Sequence, residues 1–267
     1  MELMKDSYCK ILFSAEDYQI IKSAYSRFHD YNDGLRCNIF SLLCREVLRI
    51  AISRNAPDHE VVNSWWFDPS INDGKPTRRD RYRYSLIGNI GKQVIDAHQE
   101  LDVDEDCSEL VKLNSDLSKF AHISSGTRDL DNAAGEAYLK RVEDCILSFA
   151  KRYHDVRKYV KDEIWIIVQE SIEDEIYQNF PSELDELSSH TYFESASVDE
   201  IEEIKIESQI IFVIGNGTVE VELNYGKGED GFSAPDDFPF DFVAKINVND
   251  LSVARVEFKI DNSSFYK

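Results

Sequence analysis

No run of about 18 consecutive apolar residues occurs in this chain of 267 residues, which excludes a transmembrane helix. The opening MELMKDSYCK has no basic stretch leading into an apolar one, so no secretory leader is expected. Five cysteines (Cys9, Cys37, Cys44, Cys107, Cys145) are scattered, odd in number and never paired as CxxC. That pattern argues against a disulfide framework or a zinc ribbon and points to a reducing, cytoplasmic setting. A Walker A loop, a GxGxxG after a strand, HExxH and GxSxG are all missing, and with them the signatures of several large enzyme classes. The six histidines (His29, His59, His98, His122, His154, His190) show no ligand spacing, so neither a metal nor a cofactor is expected. There is no internal repeat and no low-complexity tract.

What is present is a core and an excess of acid. Hydrophobic residues make up 42% of the chain, enough to exclude wholesale disorder. The net charge of −21 is unevenly shared. Residues 1–162 hold 24 Lys+Arg against 27 Asp+Glu, whereas residues 163–267 hold 6 against 24. The acidic part would repel a nucleic-acid backbone, while the first part can present a local basic patch.

The pattern of apolar residues predicts an α+β fold, with a helical bundle over 1–180 and an acidic antiparallel β domain over 181–267. Ser14 with Asp17 suggests a capping box ahead of Tyr18, Ile21, Tyr25 and Phe28 at helical spacing. Asn32, Asp33 and Gly34 separate this helix from one over 35–54. A loop over 56–75 carries Trp65, Trp66 and Phe67, either a plug over the bundle or an exposed binding surface, with burial the expected outcome. A third helix is expected over 77–100, then an acidic linker (LDVDEDCSE), a short helix ending near LSKFAH and a polar loop. A long helix over 130–178, with Val142, Ile146, Phe149, Tyr153, Val156 and Val160 as its seam, is expected to break near Asp162. Beyond Pro181 the period shortens to two, giving about five strands with a hairpin reversal at Gly215-Asn216-Gly217.

Several short patterns carry chemistry. TRRDRYRY interleaves Arg78, Arg79, Arg81 and Arg83 with Tyr82 and Tyr84; guanidiniums fork onto phosphates and aromatic rings stack on bases. On a helix Arg78, Arg81 and Tyr82 share one face and Arg79 and Arg83 another; pairing with local acids such as Asp80 is the plainer reading. LSKFAHISSGTR gathers Ser118, Lys119, His122 and Arg128 at a helix end, where His122 can act as acid or base or simply cap the helix. The half-buried pair Arg45-Glu46 in CREVLRI calls for partners, either an ion pair to another helix or a catalytic role. RNAPDH (Arg54 to His59) resembles the ribonuclease string of HEPN domains, although it spans a helix end and a proline, and an exposed loop is the simpler account. Asp241 with Glu257-Phe258-Lys259 imitates the order of PD-(D/E)xK nucleases without the flanking helices of that fold.

Taken in order, REVL, APDHEVVNSWWF, GKPTRRDRYRY, LSKFAH and a β region with GTVEVELNYG and DFPFDF resemble the predicted nucleases associated with prokaryotic PIWI/Argonaute-type proteins, from about residue 35 to the end. The resemblance implies a place in anti-phage or anti-plasmid defence, and roles for Arg45, Glu46, Arg78, Arg79, Arg81, Lys119 and His122. The expected function is a defence-associated nucleic-acid-binding protein and nuclease, acting on RNA rather than DNA beside a PIWI/Argonaute-type partner. In it Arg78, Arg79, Arg81, Arg83 and Tyr82 hold the strand, His122 transfers the proton, and Arg45 or Lys119 stabilises developing charge. The alternative is a non-enzymatic acidic adaptor, or an immunity or antitoxin protein, bound to a basic partner, with the long helix as a homodimer seam.

Overall fold

The computed structural model describes residue 3, residues 6–226 and residues 231–266. The chain forms two compact units. The first contains Met1–Asn89 and Ile95–Lys158; the second contains Ile90–Val94 and Tyr159–Lys267.

The first unit is helical: α1 (Cys9–Leu12), α2 (Ala15–Phe28), α3 (Arg36–Asn55), α4 (Asp58–Val61), α5 (Arg78–Ile87), the end of α6 (Lys92–Ala97), α7 (Asp104–Ala121) and the start of α8 (Asn132–Gln178). The Ser14–Asp17 capping box is present: Asp17 Oδ2 accepts from the Ser14 amide at 2.7 Å, and the Asp17 amide donates to Ser14 Oγ at 3.2 Å. An aromatic cluster fills the core, with Phe40 5.3 Å from Phe28, 6.0 Å from Tyr25 and 6.4 Å from Tyr138. Arg157 is half-buried, makes no ion pair among the described residues and donates to the carbonyls of Ser85 and Leu86, ending α5 as a cap from outside the helix.

Three expectations for this unit need correction. The helix expected over 77–100 is two helices, because Gly88 adopts φ 57°, ψ −131°, a region closed to other residues. The acidic "linker" is the first turn of α7, where Asp104, Glu105 and Asp106 suit the positive end of the helix dipole. Trp65 is 44% exposed rather than a plug, although Trp66 Nε1 donates to the Gly88 carbonyl.

The expected break in the long helix does not occur: α8 runs unbroken for 47 residues. Its seam is buried throughout, from Val142 to Val160, and continues through Ile164, Val168, Ile172 and Ile176 into the second unit.

The second unit is a four-stranded antiparallel meander in the order β1-β2-β3-β4, preceded by α9 (Ser182–Asp185). The strands are β1 (His190–Ile206), β2 (Ile210–Tyr225), β3 (Phe232–Asn247) and β4 (Val253–Ile260). Four strands replace the expected five, and Gly215-Asn216-Gly217 is not a turn. It lies inside β2, and the chain reverses instead at residues 207–210. The glycines are there for packing: a Cβ on Gly215 would stand 2.7 Å from Phe242 Cζ, and one on Gly217 2.4 Å from Phe240 Cζ. Phenylalanine rings across the sheet occupy the space that the side chains would fill. Helix α8 meets β1 through Gln169, which donates to the Ala196 carbonyl and accepts from the Val198 amide beside a bulge.

Candidate nucleic-acid interface

The arginines of TRRDRYRY are delivered by α5, whose start is fixed by a second capping box. Asp80 Oδ2 accepts from the Thr77 amide at 2.7 Å, and the Asp80 amide donates to Thr77 Oγ1 at 3.2 Å. The helical step then sorts the arginines onto two faces. Arg79 and Arg83 reach Asp104 at the start of α7, at 3.1 and 3.6 Å, and Arg83 also stacks over Trp66 at 5.1 Å. These two staple α5 to α7 and to the tryptophan loop.

Arg78, Arg81 and Tyr82 face a groove of about 520 Å³. Its other walls are Arg49, Ile52 and Ser53 of α3, Asp58 of α4 and Asn114 of α7. Three arginines against Asp58 and Glu46, the partner of Arg49, leave it with one excess positive charge in a protein of net charge −21. Arg81 is held flat by a two-pronged pair with Asp58, at 2.8 and 3.0 Å, and by the Pro76 carbonyl. Arg49 pairs with Glu46 at 2.8 Å, and that hydrogen bond holds the Glu46 carboxyl below its usual range. Arg78 is exposed and makes no ion pair among the described residues. Burial pushes the Tyr82 phenol up to about 12, so it lines the groove as a neutral hydrogen-bonding group. Guanidiniums converging from two helices are suited to phosphate oxygens, with Arg78 free to take the first.

The other expected site residues lie elsewhere. Arg45 and Glu46 sit beside the groove on α3, 3.5 Å from each other; their ion pairs stay within α3 rather than reaching another helix. Lys119 is exposed in the last turn of α7, and His122 is the exposed residue that ends it. At 1.5 Å per residue, His122 stands roughly 12 Å along the helix axis from Asn114. Ser118 Oγ is buried without a partner among the described residues, so it does not bond His122. The polar loop after α7 is pinned by Thr127, whose hydroxyl donates to the His122 carbonyl at 2.8 Å and accepts from Asn38 at 3.2 Å. Arg128 pairs with Asp129. In RNAPDH, Arg54 is turned onto the buried Asp17 at 2.6 Å, while His59 is exposed on α4. Arg49 and Asn114 escaped sequence reasoning, because only the packing of α3, α5 and α7 brings them to the same groove as Arg78.

On the second unit, Glu194, Glu220, Glu222, Asp236 and Asp237 line a trough of about 610 Å³, with no basic residue among the described residues that line it. Asp241 and Lys259 are cross-strand partners, and Glu257 shares their face but is tied to Lys245 and Arg255 at 3.4 and 3.1 Å. Among the described residues no three His, Cys, Asp or Glu side chains are placed to hold a metal ion. None of the helices described is long and apolar enough to cross a membrane.

The molecule thus combines a helical unit bearing an arginine groove with an acidic antiparallel sheet, an α+β architecture with a candidate phosphate-binding site. Residues 11–149 and 153–266 each match a family model described as a predicted pPIWI-associating nuclease. The chain belongs to that family of predicted pPIWI-associating nucleases. No curated protein and no solved structure matches it.

Proposed function

We propose that this protein binds nucleic acid in the Arg49–Arg78–Arg81 groove and acts as a nuclease beside a PIWI/Argonaute-type partner in defence against foreign genetic elements. The observation that carries the reading is the convergence of three arginines, one of them without an ion pair among the described residues, in an otherwise acidic chain. RNA is the proposed polymer, and a homodimer the proposed assembly. His122 is the candidate acid/base group and Lys119 or Arg45 the candidate charge stabiliser; a strand gripped in the groove would have to extend along α7 to meet His122. Arg79 and Arg83 support the binding helix rather than the strand.

The test is cleavage of end-labelled single- and double-stranded RNA and DNA, with magnesium or with EDTA. The reading expects RNA cleavage that falls about 100-fold or more in His122→Ala. Cleavage unchanged by that substitution removes His122 from the mechanism. If no substrate is cut even with the PIWI-type partner present, nuclease action is refuted.

A second reading rests on the acidic trough of the sheet, whose lining offers carboxylates of one sign to a basic protein surface. It predicts a complex with the PIWI-type partner that weakens with salt and survives loss of the arginine groove.

A further inference from the structure

The two edges of the sheet are built differently. β1 carries three register shifts, at Phe193/Ser195, Val198/Glu200 and Ile201/Glu203, and bulges of this kind blunt an edge against further pairing. β4 pairs with β3 without interruption from Arg255 to Ile260. No strand among the described residues pairs with its other side.

The backbone of that side can be read from the ladder. The Asp261 amide donates to the Pro239 carbonyl, so by antiparallel alternation Lys259 and Glu257 also turn their backbone groups toward β3. Val256, Phe258 and Ile260 therefore present theirs outward. The side chains of these three are only half-buried, whereas their cross-strand partners Ala244, Phe242 and Phe240 are buried. The apolar face thins out at β4.

Charge selects what continues it. Residues 163–267 contain only six basic residues, and three of them, Lys245, Arg255 and Lys259, lie on β3 and β4 at this edge. We propose that β4 is a dimerisation strand and that two copies of this chain pair antiparallel about Phe258, continuing the sheet across a two-fold axis. In that register Glu257 faces Lys259 of the second copy, Arg255 faces its Asp261, Phe258 faces Phe258 and Val256 faces Ile260. Glu257, which pairs with Lys245 and Arg255 in its own chain, gains Lys259 as a further opposite charge, and Arg255 gains Asp261, twice over by symmetry. Pairing about Glu257 sets Glu257 against itself and Arg255 against Lys259, and pairing about Val256 leaves Lys259 opposite Val253. Only the Phe258 register satisfies the whole strand.

The register makes a pattern of substitutions that tests it. Sedimentation of the full chain is expected to show a dimer, with Glu257→Lys and Lys259→Glu each self-associating roughly tenfold more weakly. Mixed together, the two variants should form a heterodimer, because each lysine pair then meets a glutamate pair. A wild-type chain that stays monomeric at high micromolar concentration overturns the proposal. So does a dimer untouched by either substitution, which would place the interface elsewhere. Failure of the mixture to restore association, with both variants folded, overturns the register and with it the argument.

Discussion

At the scale of single residues, Asp17 holds the fold together with Arg54, a residue whose sequence setting imitates a site. Burial opposes its charge, but hydrogen bonds from Arg54 and Ser14 outweigh that and hold its carboxyl below the usual 3.8. The stabilisation is therefore complete above about pH 4 and disappears as pH falls through the lowered value. Asp17→Asn is expected to cost about 1–3 kcal/mol at neutral pH, with the difference from wild type closing in acid denaturant titrations. Its partner Arg54 belongs to RNAPDH, so Arg54→Ala should lower stability before it touches activity. Burial likewise pushes the Cys9 and Cys107 thiols up to about 12, and labelling with iodoacetamide at pH 8 should reach them only after unfolding.

At the scale of elements, much of the fold was legible because helices announce their own starts and faces. The Ser14–Asp17 box, the buried seam of α8 and the division of Arg78 and Arg81 from Arg79 and Arg83 all follow from spacing alone. What was not legible depended on neighbours. Gly-Asn-Gly has strong local turn chemistry, yet the rings of Phe240 and Phe242 reach it from another strand and require those glycines within β2. A charge run at 104–106 reads equally well as linker or as helix start, and only the buried Cys107 and Leu110 behind it decide for α7. Gly217→Ala tests the β2 account: its Cβ would lie 2.2 Å from the Ser197 carbonyl oxygen. The expected loss is about 2–3 kcal/mol, measured by thermal unfolding.

At the scale of the whole molecule, the chain divides its charge as it divides its fold. The groove uses arginines from the nearly neutral part, and the second unit, its helical residues as well as its sheet, carries most of the net −21. In the proposed function this arrangement would draw a polyanion to one site and a basic surface to another. The sequence located the basic helix but not the groove, since Arg49 and Asn114 lie far from Arg78 along the chain and only helix packing unites them.

The central claim, that the groove holds phosphates, is tested most directly by the salt dependence of binding to a fluorescent single-stranded RNA. The comparison is wild type, Arg78→Ala/Arg81→Ala and Arg79→Ala/Arg83→Ala. The account predicts that loss of Arg78 and Arg81 weakens binding and flattens the plot of log K against log salt by about 0.7, the one phosphate contact on a single strand that Arg78 supplies, since Arg81 is engaged by Asp58. Loss of Arg79 and Arg83 should leave that slope near wild type. Equal slopes for wild type and Arg78→Ala/Arg81→Ala, or a larger change from the other pair, would contradict it.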